Sequence, residues 1–150
     1  MHFISRQIGI INRCASMFRN DHIENKELRA CLQNYILVLN RNPGLTQEQI
    51  SREICVDKSG VTRHLAQIEK LGYVERRVNE NDRRSVSVFL TQKGKDSVSD
   101  VKNSVFKWNE YITSALDENE MESFLKSLQK VVKKAEDYAE MRDNCEEGVK

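Results

Sequence analysis

Apolar and polar positions after residue 44 follow a helical period that predicts two short helices separated by a tight turn. The first helix starts at a capping box, in which Thr46 and Gln49 can each satisfy a free backbone donor. The second, predicted over Lys58–Leu71, follows the N-cap candidate Asp57 and stops at Gly72, a residue suited to a left-handed C-cap. Its inward face recurs at helical spacing: Val61, Leu65, Ile68 and Leu71. Together the two helices form a helix-turn-helix.

A β-hairpin is predicted directly after these helices. Tyr73–Val78 and Ser85–Leu90 are rich in aromatic and β-branched residues, and in the second run every other residue is aliphatic. The polar segment between the two strands should project into solvent as a wing. A projecting arginine suits the narrow minor groove of DNA, and Asp82 is close enough in sequence to orient Arg84 through a bidentate ion pair. A hairpin tip that is merely soluble is the alternative interpretation.

The outward face of the second helix carries short donors and acceptors together with one arginine. Near the N-terminal half of a helix, such side chains can reach phosphates or base edges in the major groove, where Gln can bond adenine and Arg can bond guanine. An ordinary solvated polar face is the alternative. The candidate DNA-binding residues are Thr46, Gln47, Lys58, Ser59, Gly60, Thr62, Arg63 and Gln67 in the two helices and Asp82, Arg83 and Arg84 in the wing.

Positive charge is concentrated in the same region. Lys58–Lys95 contains nine basic and four acidic residues, a local charge of +5, whereas the whole chain carries +1. The rest of the chain is therefore acidic overall. A basic module in a near-neutral chain is the electrostatic footprint of a protein that contacts phosphates. This pattern favours double-stranded DNA as the partner over a winged-helix module that serves protein contacts.

Helices are also predicted on both sides of this module. Residues 1–22 carry two apolar stripes on one helix, and a second helix over about Lys26–Asn40 is stopped by Asn42-Pro43-Gly44. After the hairpin, Thr91 caps a single long helix with a narrow apolar seam, and Asp117 starts a final helix with a wide apolar face.

The apolar faces of these flanking helices exceed what one chain can cover, so we expect pairing with a second copy. A helical hairpin that closes on itself is the alternative. The predicted organisation is a helical dimerisation region at residues 1–22 and 95–142, a winged helix-turn-helix DNA-binding domain at 26–94 and a flexible acidic tail at 143–150. The predicted fold is mainly α, with a small β-hairpin wing and N- and C-terminal dimerisation helices.

Five short segments of the chain resemble the MarR (multiple-antibiotic-resistance-regulator) family of bacterial transcription factors. This resemblance implies a homodimeric winged-helix repressor or activator, whose helix over Lys58–Leu71 reads the major groove and whose wing arginine, here Arg84, enters the minor groove. It also implies control by a small ligand or by cysteine oxidation. The matching segments are Gly44-Leu45-Thr46, Asp57-Lys58-Ser59, Leu71-Gly72-Tyr73-Val74, Asp82-Arg83-Arg84-Ser85 and Leu90-Thr91-Gln92-Lys93-Gly94.

Composition adds expectations about compartment and chemistry. No run approaches the roughly 18 apolar residues of a membrane span, and the first residues show no secretory pattern, so we expect a cytoplasmic protein without membrane contact. The four cysteines are far apart, with no Cys-x-x-Cys pair, and should be reduced there. The three histidines lack partners at metal or triad spacing, and no phosphate-binding loop occurs. We therefore expect neither an enzyme nor a metal or cofactor site.

Two features are candidates for sensing an input signal. Phe18, Tyr35 and Trp108 could line a ligand crevice of the kind that the family places between its dimerisation helices and winged module, although each also suits an ordinary core. Cys14 lies in the first helix, where redox-responsive members of the family carry a reactive cysteine, although a buried, inert thiol is the alternative. The expected function is a homodimeric, sequence-specific regulator, acting as a repressor on a pseudo-palindromic operator and responding to a small-molecule effector. Redox sensing through Cys14 is the second option.

Overall fold

Local capping and apolar spacing give this chain a mainly helical structure with a small antiparallel sheet, as predicted. The computed structural model describes the backbone of residues 4–78 and 86–147, and the side chains of these segments up to Met141. Residues up to Asn109 form one unit and those from Glu110 a second. In chain order, the elements of the described residues are α1 (Ile4–His22), α2 (Ala30–Arg41), β1 (Leu45–Thr46), α3 (Gln47–Ile54), α4 (Lys58–Lys70), β2 (Val74–Val78), β3 (Val86–Leu90), α5 (Gln92–Asp96), α6 (Val98–Thr113) and α7 (Glu118–Glu147).

The core of the first unit lies between α2, α3, α4 and the inner face of the sheet. Apolar positions predicted to face inward on α4 are buried, except for Leu71, which is half-buried at the C-cap. Burying one large aliphatic side chain contributes about 1.5–3 kcal/mol, so this packing fixes the orientation of α4 on α2. The fully buried apolar side chains of the three helices are Leu32, Tyr35, Ile36, Leu39, Ile50, Val61, Leu65 and Ile68.

Three antiparallel strands form the sheet, in the order β1-β3-β2. In the hairpin, Val74 of β2 pairs with Leu90 of β3, and the two strands predicted from the sequence are confirmed. Strand β1 adds to the other edge of β3, where Leu45 pairs with Val88. The sequence analysis missed β1 because two residues are too few to show an alternating pattern.

The start of α2 differs from the prediction. Its first residue is Ala30, whereas the sequence suggested about Lys26. The segment before it is a turn bound by Asp100, whose carboxylate accepts hydrogen bonds from the backbone N–H of Glu24 at 3.1 Å and of Asn25 at 3.3 Å. A side chain of α6 therefore satisfies the backbone donors of the loop that leads into α2, and these tertiary bonds replace a first helical turn.

The long helix predicted after the hairpin is interrupted. Helix α5 ends at Asp96 and α6 starts at Val98, with a turn at Ser97 between them. The Ser97 hydroxyl donates to the carbonyl oxygen of Gly94 at 2.7 Å, a side-chain bond that competes with regular helix. The prediction of one continuous helix is therefore wrong at this residue. The predicted cap at Thr91 is confirmed, since its hydroxyl accepts from Gly94 N at 3.1 Å.

Gly94 lies where α5 passes against the backbone that enters β2. A Cβ atom on Gly94 would be 2.1 Å from the carbonyl oxygen of Tyr73 and 3.2 Å from the Cβ atom of Leu90. The same Tyr73 oxygen accepts a hydrogen bond from Thr91 N at 3.0 Å, so its position is fixed by the backbone. Only glycine allows the two segments to approach this closely.

The second unit consists of the end of α6 and the helix α7. The predicted capping box is present, since Asp117 Oδ1 accepts from Glu120 N at 2.9 Å and Glu120 Oε2 accepts from Asp117 N at 3.0 Å. Helix α7 continues through residues 143–147, part of the stretch predicted as a flexible tail, and 148–150 lie outside the described residues. None of the helices that the structure describes has both the length and the apolar character to cross a membrane.

Candidate nucleic-acid interface

Cys55 and Ser51 shape the turn between α3 and α4. Cys55, the C-cap of α3, has a φ of 51°, in the left-handed region that side chains other than glycine rarely adopt. Beside it, Ser51 Oγ donates to the carbonyl oxygen of Val56 at 2.6 Å, while Val56 N donates back to Ser51 O at 3.2 Å. These bonds close the turn and set the angle at which α4 leaves α3.

Helix α4 starts at Asp57, as predicted. The Asp57 carboxylate accepts hydrogen bonds from the hydroxyl of Ser59 and from Gly60 N, the latter at 2.9 Å. These bonds hold the pKa of the Asp57 carboxyl below its ordinary value of 3.8, and the bond from Ser59 has the largest effect. The charged cap also suits the positive end of the helix dipole.

We expect Asp57→Asn to make folding stability less dependent on pH in acid. A carboxyl whose pKa is lower in the folded than in the unfolded chain stabilises the fold above the unfolded value, and this stabilisation is lost as the pH falls below 3.8. Asparagine is an equally good N-cap and does not titrate. Chemical denaturation of both proteins from near-neutral to strongly acidic pH should show the wild type losing stability relative to the variant. A constant difference across this range would contradict the prediction.

Gly60 does not lie where the sequence analysis placed it. It was expected on the outward face of α4, where its backbone would approach DNA, but it is buried. A Cβ atom at this position would be 2.8 Å from Val56 Cγ1 and 3.2 Å from Asp57 Oδ2. The absence of a side chain is thus required by the preceding turn. Sequence spacing missed this because it depends on a contact across the turn rather than on the helical period.

The other predicted DNA-binding residues of α4 are exposed, as expected. The inward side chains of α4 are fully buried, which leaves the opposite face free toward solvent. Within the described part of the chain Arg63 has no ion-pair partner, while Lys58 lies 3.5 Å from Glu48 of α3. We call the exposed polar face of α4 the recognition face; its members are Lys58, Ser59, Thr62, Arg63 and Gln67.

Two of the candidate residues hydrogen-bond each other across the helix-turn-helix. The side-chain amide of Gln47, at the first position of α3, donates to Thr62 Oγ1 on α4. The Thr62 hydroxyl in turn donates to the carbonyl oxygen of Lys58 at 2.8 Å. Thr46 is half-buried and its hydroxyl accepts from Gln49 N at 3.3 Å in the predicted capping box, which is confirmed. Thr46 therefore has a structural task that does not depend on DNA.

Two arginines in the stem of the wing are already paired with groups of the protein itself. Arg76 pairs with Glu69 of α4, with 3.2 Å between Nε and Oε2. Arg77 pairs with Glu75 and lies over the ring of Phe89, with its guanidinium carbon 4.7 Å from the ring centre. Sequence counting treated these charges as available for phosphates, which overstates the free charge of the stem. The predicted wing residues Asp82, Arg83 and Arg84 lie outside the described residues.

A contact between α2 and the recognition helix escaped the sequence analysis. The Tyr35 hydroxyl lies 3.0 Å from Nδ1 of His64, and the two rings meet edge to face at 5.6 Å. Burial raises the pKa of Tyr35 to about 12, so its hydroxyl remains protonated. Burial also lowers the pKa of His64, which favours the neutral ring. This pair ties α4 to the core next to Arg63, and no local pattern connects residues so distant in sequence.

The three aromatic residues predicted to line an effector site do not all contact one another. Phe18 and Trp108 lie together, with ring centres 5.5 Å apart, and Phe18 also stacks on His22 at 3.8 Å. Tyr35 is a buried core residue that contacts His64. Cys14, the redox candidate, is a half-buried free thiol on α1. Of the three aromatic residues, the ring contacts therefore pair Phe18 with Trp108.

Known proteins resemble this chain in sequence. Residues 34–85, which run from within α2 into the wing, match the model of the MarR family. The HTH-type transcriptional regulator BilQ of Clostridioides difficile (strain CD3) is 32% identical over 94 residues, 63% of this chain and 64% of that protein. The chain thus spans less than two thirds of that relative's length. BilQ of Clostridium symbiosum (strain WAL-14163) is 23% identical over 127 residues, 85% of this chain and 88% of that protein.

Solved structures share the fold over most of the chain. A MarR transcriptional regulator from Methanosarcina mazei Go1 has a TM-score of 0.81 at 29% identity, covering 89% of this chain and 96% of its own. A MarR-type structure from Listeria monocytogenes, complexed with 26mer DNA, has a TM-score of 0.83 at 23% identity and covers 91% of both chains. These relatives are described as transcriptional regulators and not as enzymes, in agreement with the sequence prediction. The matched helix-turn-helix and the shared fold make this chain similar to the MarR family of transcriptional regulators.

Proposed function

We propose that this chain is a sequence-specific transcriptional regulator that binds double-stranded DNA as a homodimer. The observation that carries the proposal is the recognition face of α4, whose polar side chains are exposed while the opposite side of the helix is locked into the core. A rigid helix that is buried on one side and presents polar side chains on the other can enter the major groove without rearranging. The Listeria monocytogenes structure of similar fold, solved with 26mer DNA, supports the same partner.

Electrostatics supports DNA over a protein partner. The segment Lys58–Lys95 carries a net charge of +5 in a chain whose total is +1. Even after the ion pairs of Arg76 and Arg77, the recognition face keeps Arg63 and Lys58 toward solvent, although Lys58 also lies 3.5 Å from Glu48. Charges of this kind neutralise phosphates and release counterions, so binding should weaken steeply as salt rises. In this proposal residues 26–94 form the DNA-binding domain and act in the cytoplasm.

Exposed apolar side chains support the homodimer. On α1, Ile4, Ile8 and Ile11 lie on one stripe and are 44–51% exposed. On α7, large apolar side chains recur along one face and are also exposed. Apolar stripes of this length on both terminal regions are typical of surfaces that a second copy covers. We therefore assign residues 1–22 and 95–142 to dimerisation. The exposed α7 set is Phe124, Leu125, Leu128, Val131 and Val132.

If two copies present α4 through a two-fold axis, their footprint should be an inverted repeat. The two half-sites should lie about 10 base pairs apart, in successive major grooves on one side of the duplex. Footprinting on a duplex selected by the protein from a random pool measures this directly, and sedimentation should give twice the 17.5 kDa of one chain. A single asymmetric half-site bound by a monomer would contradict the proposal, as would binding that does not respond to salt.

We further propose that the regulator is a repressor released by a small acidic effector near Phe18 and Trp108. The adjacent Arg19 donates to the neutral side chains of Gln33, at 2.9 Å, and Asn34, at 3.2 Å. Burial lowers the pKa of this guanidinium, which reflects the cost of a charge without a carboxylate partner in the described residues. A carboxylate on an aromatic ligand would form a charge-assisted hydrogen bond there.

Trp108 is the single tryptophan of the chain, so its fluorescence should report this binding. We expect benzoate to change the emission in a saturable way and to weaken operator binding, because it supplies both a ring and a carboxylate. Benzyl alcohol, which lacks the charge, should do neither at the same concentration. The variant Arg19→Gln should lose the response to benzoate while still binding DNA. Equal responses to the acid and the alcohol would rule out a role for Arg19.

A further inference from the structure

Within the proposed DNA-binding function, we infer that Thr62 recognises a thymine through its methyl group and not through its hydroxyl. Thr62 lies on the recognition face, one residue before Arg63, in the N-terminal half of α4. A threonine at such a position is commonly treated as a hydroxyl donor to phosphates or bases. The hydrogen bonds of this particular side chain point to a different role.

The Thr62 hydroxyl is already engaged on both sides. It has one hydrogen, which it donates to the carbonyl oxygen of Lys58 at 2.8 Å. It also accepts a hydrogen bond from the amide of Gln47, which reaches across from α3. A donor bond to DNA would require the hydroxyl to leave Lys58, and the amide of Gln47 holds it from the opposite side. Without breaking a bond, the side chain can offer its methyl and one remaining oxygen lone pair, which phosphates and base acceptors cannot use.

Two anchors also restrict the rotation of this side chain. With the hydroxyl fixed between α3 and the preceding turn of α4, χ1 is set, and the methyl occupies one position on an exposed side chain. In the major groove, the apolar feature that distinguishes one base from the others is the C5 methyl of thymine. A fixed methyl group on the recognition face is complementary to it. Gln47 thus acts as a positioning residue, since it holds Thr62 without needing to touch the base.

The test replaces thymines by deoxyuridine, which removes only the C5 methyl and leaves base pairing intact. The probe is a duplex selected by the wild-type protein from a random pool, with each thymine of one half-site replaced in turn. Fluorescence anisotropy should show one thymine whose replacement weakens wild-type binding about fourfold, the effect of exposing one methyl group. Replacement at the other thymines of the half-site should have little effect.

Three variants decide whether Thr62 reads that methyl. Thr62→Ser keeps the hydroxyl and its bonds to Lys58 and Gln47 but lacks the methyl, so it should bind the thymine and uracil duplexes equally. Thr62→Val keeps a methyl and loses the hydroxyl, so it should preserve the fourfold ratio even if its affinity changes overall. Lys70→Ala, at the far end of α4 and outside the recognition face, is the control and should also preserve the ratio.

The possible results separate this inference from the proposed function. If wild-type protein tolerates uracil at every position, or if Thr62→Ser retains the ratio, the methyl assignment is wrong although DNA binding stands. If Thr62→Val loses the ratio while Thr62→Ser keeps it, Thr62 acts through its hydroxyl, and the assignment is again wrong. If no duplex is selected from the pool at all, the proposed function itself fails.

Discussion

Gly94→Ala is expected to lower the free energy of unfolding by about 3 kcal/mol or more, the largest effect we expect of a single methyl group in this chain. The new Cβ atom would lie 2.1 Å from the carbonyl oxygen of Tyr73. That oxygen belongs to the backbone and is held by Thr91 N at 3.0 Å, so it cannot rotate away as a flexible side chain would. Relief requires α5 and the entry to β2 to separate, which also weakens the cap at Thr91.

The control is a second glycine-to-alanine substitution, at a helical position where the new Cβ atom meets no backbone atom of another segment. Gly9 lies within α1, where a Cβ atom would meet only the guanidinium of Arg13 at 3.4 Å, the end of a flexible side chain. Gly9→Ala should therefore raise stability by roughly 0.5–1 kcal/mol, the usual gain from replacing glycine inside a helix. Urea denaturation of the wild type and both variants measures the two effects. A Gly94→Ala protein as stable as the wild type would show that α5 does not pack against Tyr73 as described.

Arg63→Ala is expected to weaken binding to the selected operator by roughly 1–3 kcal/mol per half-site and to relax the preference at one base pair. Arg63 is exposed on the recognition face, and in the described residues no carboxylate competes for its guanidinium. Its fork of donors matches the two acceptors of guanine in the major groove. The loss should consequently be larger on the operator than on random DNA.

Two other basic residues of α4 serve as comparisons. Lys58→Ala should weaken binding to all sequences alike and flatten the salt dependence, because a lysine at the start of the helix contacts phosphate rather than bases. Lys70→Ala, at the far end of α4, removes the same charge and should change affinity little. Anisotropy on operator and random duplexes over a salt series separates the three. Equal losses on both duplexes for Arg63→Ala would mean that Arg63 only anchors the protein.

Features set by neighbours in sequence were predictable, whereas features set by distant contacts were not. The caps at Thr46, Asp57, Thr91 and Asp117 depend on residues three positions away, and each is present as the sequence indicated. The inward face of α4 follows from helical spacing alone. The exposure of the outward residues of α4 was predictable for the same reason, except for Gly60, whose surroundings are decided by Val56 across the turn.

The remaining differences arise from partners that are remote in sequence. Strand β1 exists because β3 offers a free edge to a segment about 40 residues earlier. The contact between Tyr35 and His64 joins two helices, and neither residue carries a local signal for it. The hydroxyl of Thr62 was expected to reach phosphates or base edges, but it accepts a hydrogen bond from Gln47 of α3. In each case a side chain acquires its role only after the core has packed.

The bond from Asp100 to the loop before α2 also bears on how the chain folds during synthesis. The backbone donors of Glu24 and Asn25 find their acceptor 75–76 residues later. A ribosome that has released only α1 to β3 has exposed the whole helix-turn-helix but not the carboxylate that fixes the entry to α2. Contacts of such long separation form late and slow folding. The backbone of the loop before α2 therefore lacks these hydrogen bonds until α6 has emerged from the ribosome. The helix-turn-helix module reaches its final structure only after this C-terminal helix has been synthesised.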